Sequence, residues 1–180
     1  KPIMDGEDVL AIAQTGTGKT ASFVIPIVNK IAKQKSKYKS ANTACLVLVP
    51  TRELAKQIEQ VFKLISKNTA VRSLAIMGGV EQDYQIEQLR GKIDVVISTP
   101  GRMFDLISQG YLDVKNINTL VLDEADHMLD LGFIKDIRDL MRHIPQKRQT
   151  LFFSATIDKE IKKIAYDLVR NAIRIQISPK

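Results

Sequence analysis

Val9-Leu10-Ala11-Ile12-Ala13-Gln14-Thr15-Gly16-Thr17-Gly18-Lys19-Thr20 decides how the chain is read. An apolar run, expected to be a strand over 8–13, passes through a glycine-bearing turn into Val24, Ile27, Val28 and Ile31 at helical spacing. Strand, glycine loop and helix together form the context that a phosphate-binding loop requires. Gly16 and Gly18 let the backbone turn tightly, so its N–H groups can point at phosphate oxygens. The helix start adds a favourable dipole. Lys19 is placed to neutralise phosphate charge, and the Thr20 hydroxyl to ligate Mg²⁺. The first glycine of the general pattern is replaced here by Ala13.

Outward from this stretch the same alternation continues. Further strands are expected over 44–49, 71–76, 93–98, 119–122, 150–153 and 173–177. Most are apolar throughout, so both faces should be covered. Between them lie helical seams. Leu54, Ile58, Val61, Phe62 and Ile65 form one. Phe133, Ile137, Leu140, Met141 and Ile144 form another, stopped by Pro145. Ile161, Ile164, Ala165 and Leu168 form a third. Thr99-Pro100 reads as an N-cap with proline in the first turn, and Gly110 as the end of that helix. Pro26 is expected to kink or break the first helix. The pattern predicts an α/β fold: a mostly parallel sheet of about seven strands with helices on both faces.

Leu120-Val121-Leu122 runs into Asp123-Glu124-Ala125-Asp126. An apolar strand ending in acids, paired with a phosphate loop on an earlier strand, is how nucleotide hydrolases hold a metal. Asp123 is the expected Mg²⁺ anchor, and Glu124 the group that orients or activates the attacking water.

Ala13 to Thr20, Asp123-Glu124-Ala125-Asp126 and Ser154-Ala155-Thr156 resemble the ATP-site motifs of the DEAD-box RNA helicases. Pro50-Thr51-Arg52-Glu53-Leu54, Gly78-Gly79 and Thr99-Pro100-Gly101-Arg102 resemble that family's RNA-contacting motifs. All match in order. Each follows a predicted strand, so in a parallel sheet they share the edge where ligands bind.

The resemblance implies a P-loop, RecA-like three-layer sandwich and a specific set of roles. ATP and Mg²⁺ are the implied ligands, held by Ala13, Gln14, Thr15, Gly16, Thr17, Gly18, Lys19 and Thr20, with Thr20 and Asp123 on the metal. Glu124, Lys19 and Asp123 are the implied catalytic residues. Asp126, Ser154 and Thr156 are implied to couple hydrolysis to unwinding.

RNA is the implied partner, gripped by Pro50, Thr51, Arg52, Gly78, Gly79, Thr99, Pro100, Gly101 and Arg102. Glycines allow close backbone approach, arginines pair with phosphates, and helix starts favour them. None of this reads bases, so binding should be independent of sequence. The family uses two such domains. The chain is therefore expected to be the N-terminal domain over 1–180, without the upstream adenine-reading glutamine motif and the C-terminal helicase domain. By itself it is expected to be a nearly inactive monomer. A DNA-acting or small-molecule hydrolase and a non-catalytic binding module are the alternatives.

Composition bounds these readings. The 180 residues correspond to one domain. The longest apolar run, 44–49, is far short of the roughly 20 residues of a membrane span. Lys1-Pro2-Ile3-Met4-Asp5 lacks the apolar core of a signal peptide. One cysteine, Cys45, excludes an internal disulfide and a multi-cysteine zinc site. A cytoplasmic location is expected. His127 and His143 lack metal-ligand spacing. The net charge of +7 favours a polyanionic partner. The lysines at 30, 33, 35, 37 and 39, however, read as a solvated, mobile connection entering the second strand far from the ligand edge.

Overall fold

A computed structural model describes residues 1–14, 16, 18–37 and 42–176. Strands and helices alternate along the chain. They are β1 (Val9–Ile12), α1 (Lys19–Lys37), β2 (Cys45–Leu48), α2 (Arg52–Ser66), β3 (Ser73–Ile76), α3 (Gln82–Leu89) and β4 (Val95–Ser98). There follow α4 (Pro100–Ser108), β5 (Thr119–Leu122), α5 (Ala125–Asp130), α6 (Ile134–Met141), β6 (Gln149–Ser154), α7 (Lys159–Leu168) and β7 (Ile173–Gln176). The strands form one 7-stranded sheet in the order β3-β4-β2-β5-β6-β1-β7. Every pairing is parallel. The last residue of the expected strand 173–177, Ile177, lies outside the described residues.

Side chains alternate across the pleat and divide the core into two layers. Val9, Ala11, Cys45, Val47, Val95 and Val121 meet Phe23, Ile27, Ile58 and Phe62 of α1 and α2. Leu10, Ile12, Leu46, Leu48, Leu120 and Phe152 meet residues of α4 to α7, among them Met103, Met128, Leu140 and Ile161. Phe62 is fully buried, with its ring centroid 6.5 Å from that of Phe23. Phe62→Ala is therefore expected to cost about 3–5 kcal/mol. A lower urea midpoint at unchanged m-value would report it.

Several expectations need correction. Pro26 does not break α1, which continues to Lys37. The missing N–H leaves only the carbonyl of exposed Ser22 without its helical donor, while buried Phe23, Val24, Ile27, Val28 and Ile31 pin both sides. The lysine run is consequently not a free connection. The Lys30 ammonium lies 3.2 Å from Thr119 Oγ1 and 3.5 Å from Gln149 Oε1, and burial holds its pKa below the usual lysine value. Lys35 pairs with Asp94 at 2.7 Å and donates to the Ala70 carbonyl. Asp94 also accepts from the Arg72 N–H at 2.7 Å. Lys39 lies outside the described residues. These contacts do sit at strand beginnings, on the edge opposite the motifs.

The seam through Phe133 to Ile144 belongs only partly to a helix. Phe133 caps α6, and Ile144 is buried beyond its end. Helices α3 and α5 were not anticipated by periodicity.

Candidate active site

Each motif leaves the carboxyl end of a strand. The glycine-bearing loop follows β1, where the Ala13 N–H extends the ladder to the Ser154 carbonyl at 2.9 Å. Gly16 and Gly18 both have φ of 81°, and a Cβ at either would meet nothing within 4 Å. Glycine is required there for the left-handed backbone rather than for space. Thr15 and Thr17 lie outside the described residues.

Lys19 opens α1. Its ammonium is buried, has no hydrogen-bond partner and stands 3.7 Å from Asp123 Oδ1. Asp123 follows β5 and is 2% exposed. Its N–H bonds the Leu48 carbonyl at 2.9 Å, so the β2–β5 ladder fixes its position. Burial pushes its carboxyl above the usual carboxylate range, and the Lys19 charge pulls it partly back. The next residue, Glu124, adopts φ 54° and ψ 50° as it starts α5. A non-glycine residue in this region costs on the order of 1 kcal/mol or more. The bend is held by the Glu124 N–H donating to Asp123 Oδ1 at 3.0 Å. The Glu124 carboxylate lies 3.5 Å from His127 Nδ1.

Asp126, on the first turn of α5, gathers the residues after β6. Its Oδ2 accepts from the N–H of Ala155 at 3.1 Å, the N–H of Thr156 at 3.0 Å and Thr156 Oγ1 at 3.2 Å. The Ser154 hydroxyl is buried without a partner and takes no part in this junction. Of the implied coupling residues, Asp126 and Thr156 touch, whereas the Ser154 side chain does not join them.

A second cleft, about 660 Å³, lies farther along the same sheet edge. Pro50, Thr51, Arg52, Gly78, Thr99, Gly101 and Arg102 line it, together with Phe133 and the acids Glu53 and Asp105. Thr51 caps α2, accepting from the Leu54 N–H at 3.2 Å. Thr99 precedes α4 without a side-chain cap bond. Arg102 Nη1 is buried and unbonded. Pro100 is buried and does not line the cleft.

Gly79 lies beside the cleft at φ 77°. A Cβ on it would collide with Arg52 Nη1, and one on Gly78 would come within 3.2 Å of Nη2. The glycine pair thus leaves room for the chain's own Arg52.

Sequence reasoning missed Gln85 of α3. Its side chain accepts from the Met77 N–H at 2.6 Å and donates to the carbonyls of Met77 and Val80 at 3.0 and 3.1 Å. It therefore clamps the turn carrying Gly78-Gly79. No local signal marks it, because the sequence does not show that this glutamine is buried.

The donor set suits a nucleotide with its cation. Thr20 and Asp123 offer hard oxygens, and the unbonded Lys19 ammonium leaves a buried positive charge for phosphate. Among the described residues no cluster of three or more His, Cys, Asp or Glu could hold a metal. That is compatible with Mg²⁺ held through one or two protein oxygens and the phosphates themselves. His143 packs edge-on against Phe104 at 5.6 Å. Among the described residues no helix is long and apolar enough to cross a membrane.

The DEAD/DEAH box helicase model matches residues 1–164. The chain is 42% identical over 179 residues to ATP-dependent RNA helicase DBP3 of Lodderomyces elongisporus, covering 99% of this chain and 33% of that protein. It is 41% identical over 177 residues to ATP-dependent RNA helicase CshA of Listeria monocytogenes, covering 98% of this chain and 33% of that protein. The crystal structure of a DEAD box protein from the hyperthermophile Methanococcus jannaschii superposes with a TM-score of 0.89 at 34% identity, covering 98% of this chain and 47% of that one. The chain thus spans about a third of the length of the curated relatives it matches. Matching that structure, the seven-stranded parallel sheet and its two helical layers are RecA-like. By its sequence and by its fold, the chain belongs to the DEAD/DEAH box helicase family.

Proposed function

We propose that this chain is the N-terminal, ATP-binding core domain of an ATP-dependent RNA helicase, acting with a C-terminal helicase domain of the same protein. One observation carries the reading: the unbonded Lys19 ammonium beside buried Asp123, on the same sheet edge as the arginine-lined cleft. Lys19 neutralises phosphate charge, and the turn at Gly16 and Gly18 presents backbone N–H groups to phosphate oxygens. Thr20 and Asp123 would hold Mg²⁺, which would neutralise further phosphate charge. Glu124 orients a water in line with the γ-phosphorus and takes its proton as the bond to the β-phosphate oxygen breaks. Asp126 joins this region to Thr156.

Arg52, Arg102, Thr51 and Thr99 hold phosphates of an RNA strand without reading its bases. ATP and RNA bound together then close the two domains on each other. A cytoplasmic location belongs to the same reading, in keeping with the lone, buried Cys45 thiol.

The direct test is ATP hydrolysis by the full-length protein with and without RNA. RNA stimulation is expected. Equal stimulation by DNA would favour a broader hydrolase, and no hydrolysis at all would favour a binding module. Lys19→Ala is expected to weaken ATP binding by about 10- to 100-fold, the worth of one charge-assisted bond. Unchanged affinity in a fluorescent-nucleotide titration would remove the phosphate loop from its role. Replacing Arg52 and Arg102 together by alanine is expected to weaken single-stranded RNA binding at all sequences and to reduce the log–log salt slope by about 1.4. An unaltered slope would place the RNA elsewhere.

A further inference from the structure

A cavity of about 740 Å³ lies away from the motif edge. It opens where β6, β1 and β7, neighbours in the sheet, begin. Asp8 precedes β1, Arg148 precedes β6, and Arg170 joins α7 to β7. At ~3.3 Å per residue, four-residue β1 separates this end from the phosphate loop by about 13 Å. The volume falls in the range of small-molecule pockets, about 300–1,000 Å³.

Its lining is rich in cations: Arg138 from α6, Lys147 and Arg148 before β6, and Arg170. Among the described residues none of them forms an ion pair. Three acids, Glu7, Asp8 and Asp167, share the lining, which leaves a formal excess of one positive charge. Asp8 accepts from the Thr150 N–H at 2.7 Å through Oδ1 and from the Arg170 N–H at 2.8 Å through Oδ2. Glu7 and Asp167 are exposed to water, as are Arg138, Lys147 and Arg170.

Arg148 is the most constrained of the cations. Nη1 donates to the Pro145 carbonyl at 2.7 Å, Nη2 reaches the Met141 sulfur at 3.4 Å, and Nε is buried with no partner. Burial holds its pKa below the usual arginine value, with Asp8 opposing this and Arg170 adding to it. A partly buried guanidinium short of acceptors, beside a second one, is unfavourable without an anion. An oxyanion beside them would answer the charge of both guanidiniums and offer its oxygens to the exposed fork of Arg170.

We propose that this cavity is an anion site, distinct from the ATP and RNA regions, that takes the phosphate group of a small phosphorylated molecule between Arg148 and Arg170. Arg138 and Lys147 supply outer positive charge. The cavity's size and its remoteness from the RNA cleft favour a free small molecule over a nucleic-acid strand.

Inorganic pyrophosphate is the probe. The full-length protein carrying Lys19→Ala, which weakens binding at the phosphate loop, is titrated by calorimetry at low ionic strength. Saturable binding is expected, weakened by about tenfold or more when Arg170→Ala is added, the scale of one charge-assisted bond. Arg170 is exposed, so its replacement spares the fold. In ¹⁵N-arginine spectra the Arg148 Nε–H signal, assigned through Arg148→Lys, is expected to move along the same titration. Affinity indifferent to Arg170→Ala, with a stationary Arg148 signal, overturns the proposal. So does an Arg148 signal that answers to a single-stranded oligoribonucleotide but not to pyrophosphate.

Discussion

Glu124→Gln in the full-length protein is expected to leave ATP binding intact and to lower turnover by about 10²- to 10⁴-fold, the usual contribution of a positioned general base. The amide matches the carboxylate in shape, so the contact with His127 and the left-handed start of α5 can persist. It cannot accept the proton of an attacking water. Asp123 and Lys19 remain in place to hold the nucleotide. Steady-state ATPase and nucleotide affinity, measured on the same preparation, separate the two effects. Wild-type turnover would take Glu124 out of its assigned role. A parallel loss of affinity would mean that the site had been disturbed and not merely deprived of its base.

The 180-residue chain alone is expected to hydrolyse ATP about 10³- to 10⁵-fold more slowly than the full-length protein with RNA, the worth of an arginine delivered to the transferred phosphate. Among the described residues Lys19 is the cation paired with Asp123, whereas Arg52 and Arg102 line the separate cleft. Under the two-domain reading, a further positive charge comes from outside this domain. The comparison is RNA-stimulated phosphate release by the two proteins at equal concentration. Comparable rates would sink that reading and make this domain a complete hydrolase.

Most strands were legible because they are apolar on both faces, although most are shorter at one or both ends than the runs that announce them. Thr119–Leu122 agrees end to end. Helix α3 escaped because Gln85, not an aliphatic residue, fills much of its buried seam. Helix α5 is only 6 residues long and begins from a left-handed glutamate that no periodicity announces. At the site, the meeting of Lys19 with Asp123 followed from motif type and from both motifs leaving the carboxyl ends of parallel strands. The packing of Arg52 over Gly78 and Gly79 did not, because local sequence cannot report which side chain fills the space a glycine leaves. The lysine run was misread for the same reason. Asp94 lies 59 residues beyond Lys35, and Thr119 lies 89 beyond Lys30.

Those two lysines bear on any effort to redesign the surface. A chain of net charge +7 invites removal of lysines to curb non-specific adhesion to polyanions. Residues 30 and 35 are poor places to begin. Both tether the distal half of the first helix to the floor of the sheet, so neutralising them would loosen the frame that carries the phosphate loop at the helix's other end. Charge reduction belongs at freely solvated positions elsewhere on the molecule.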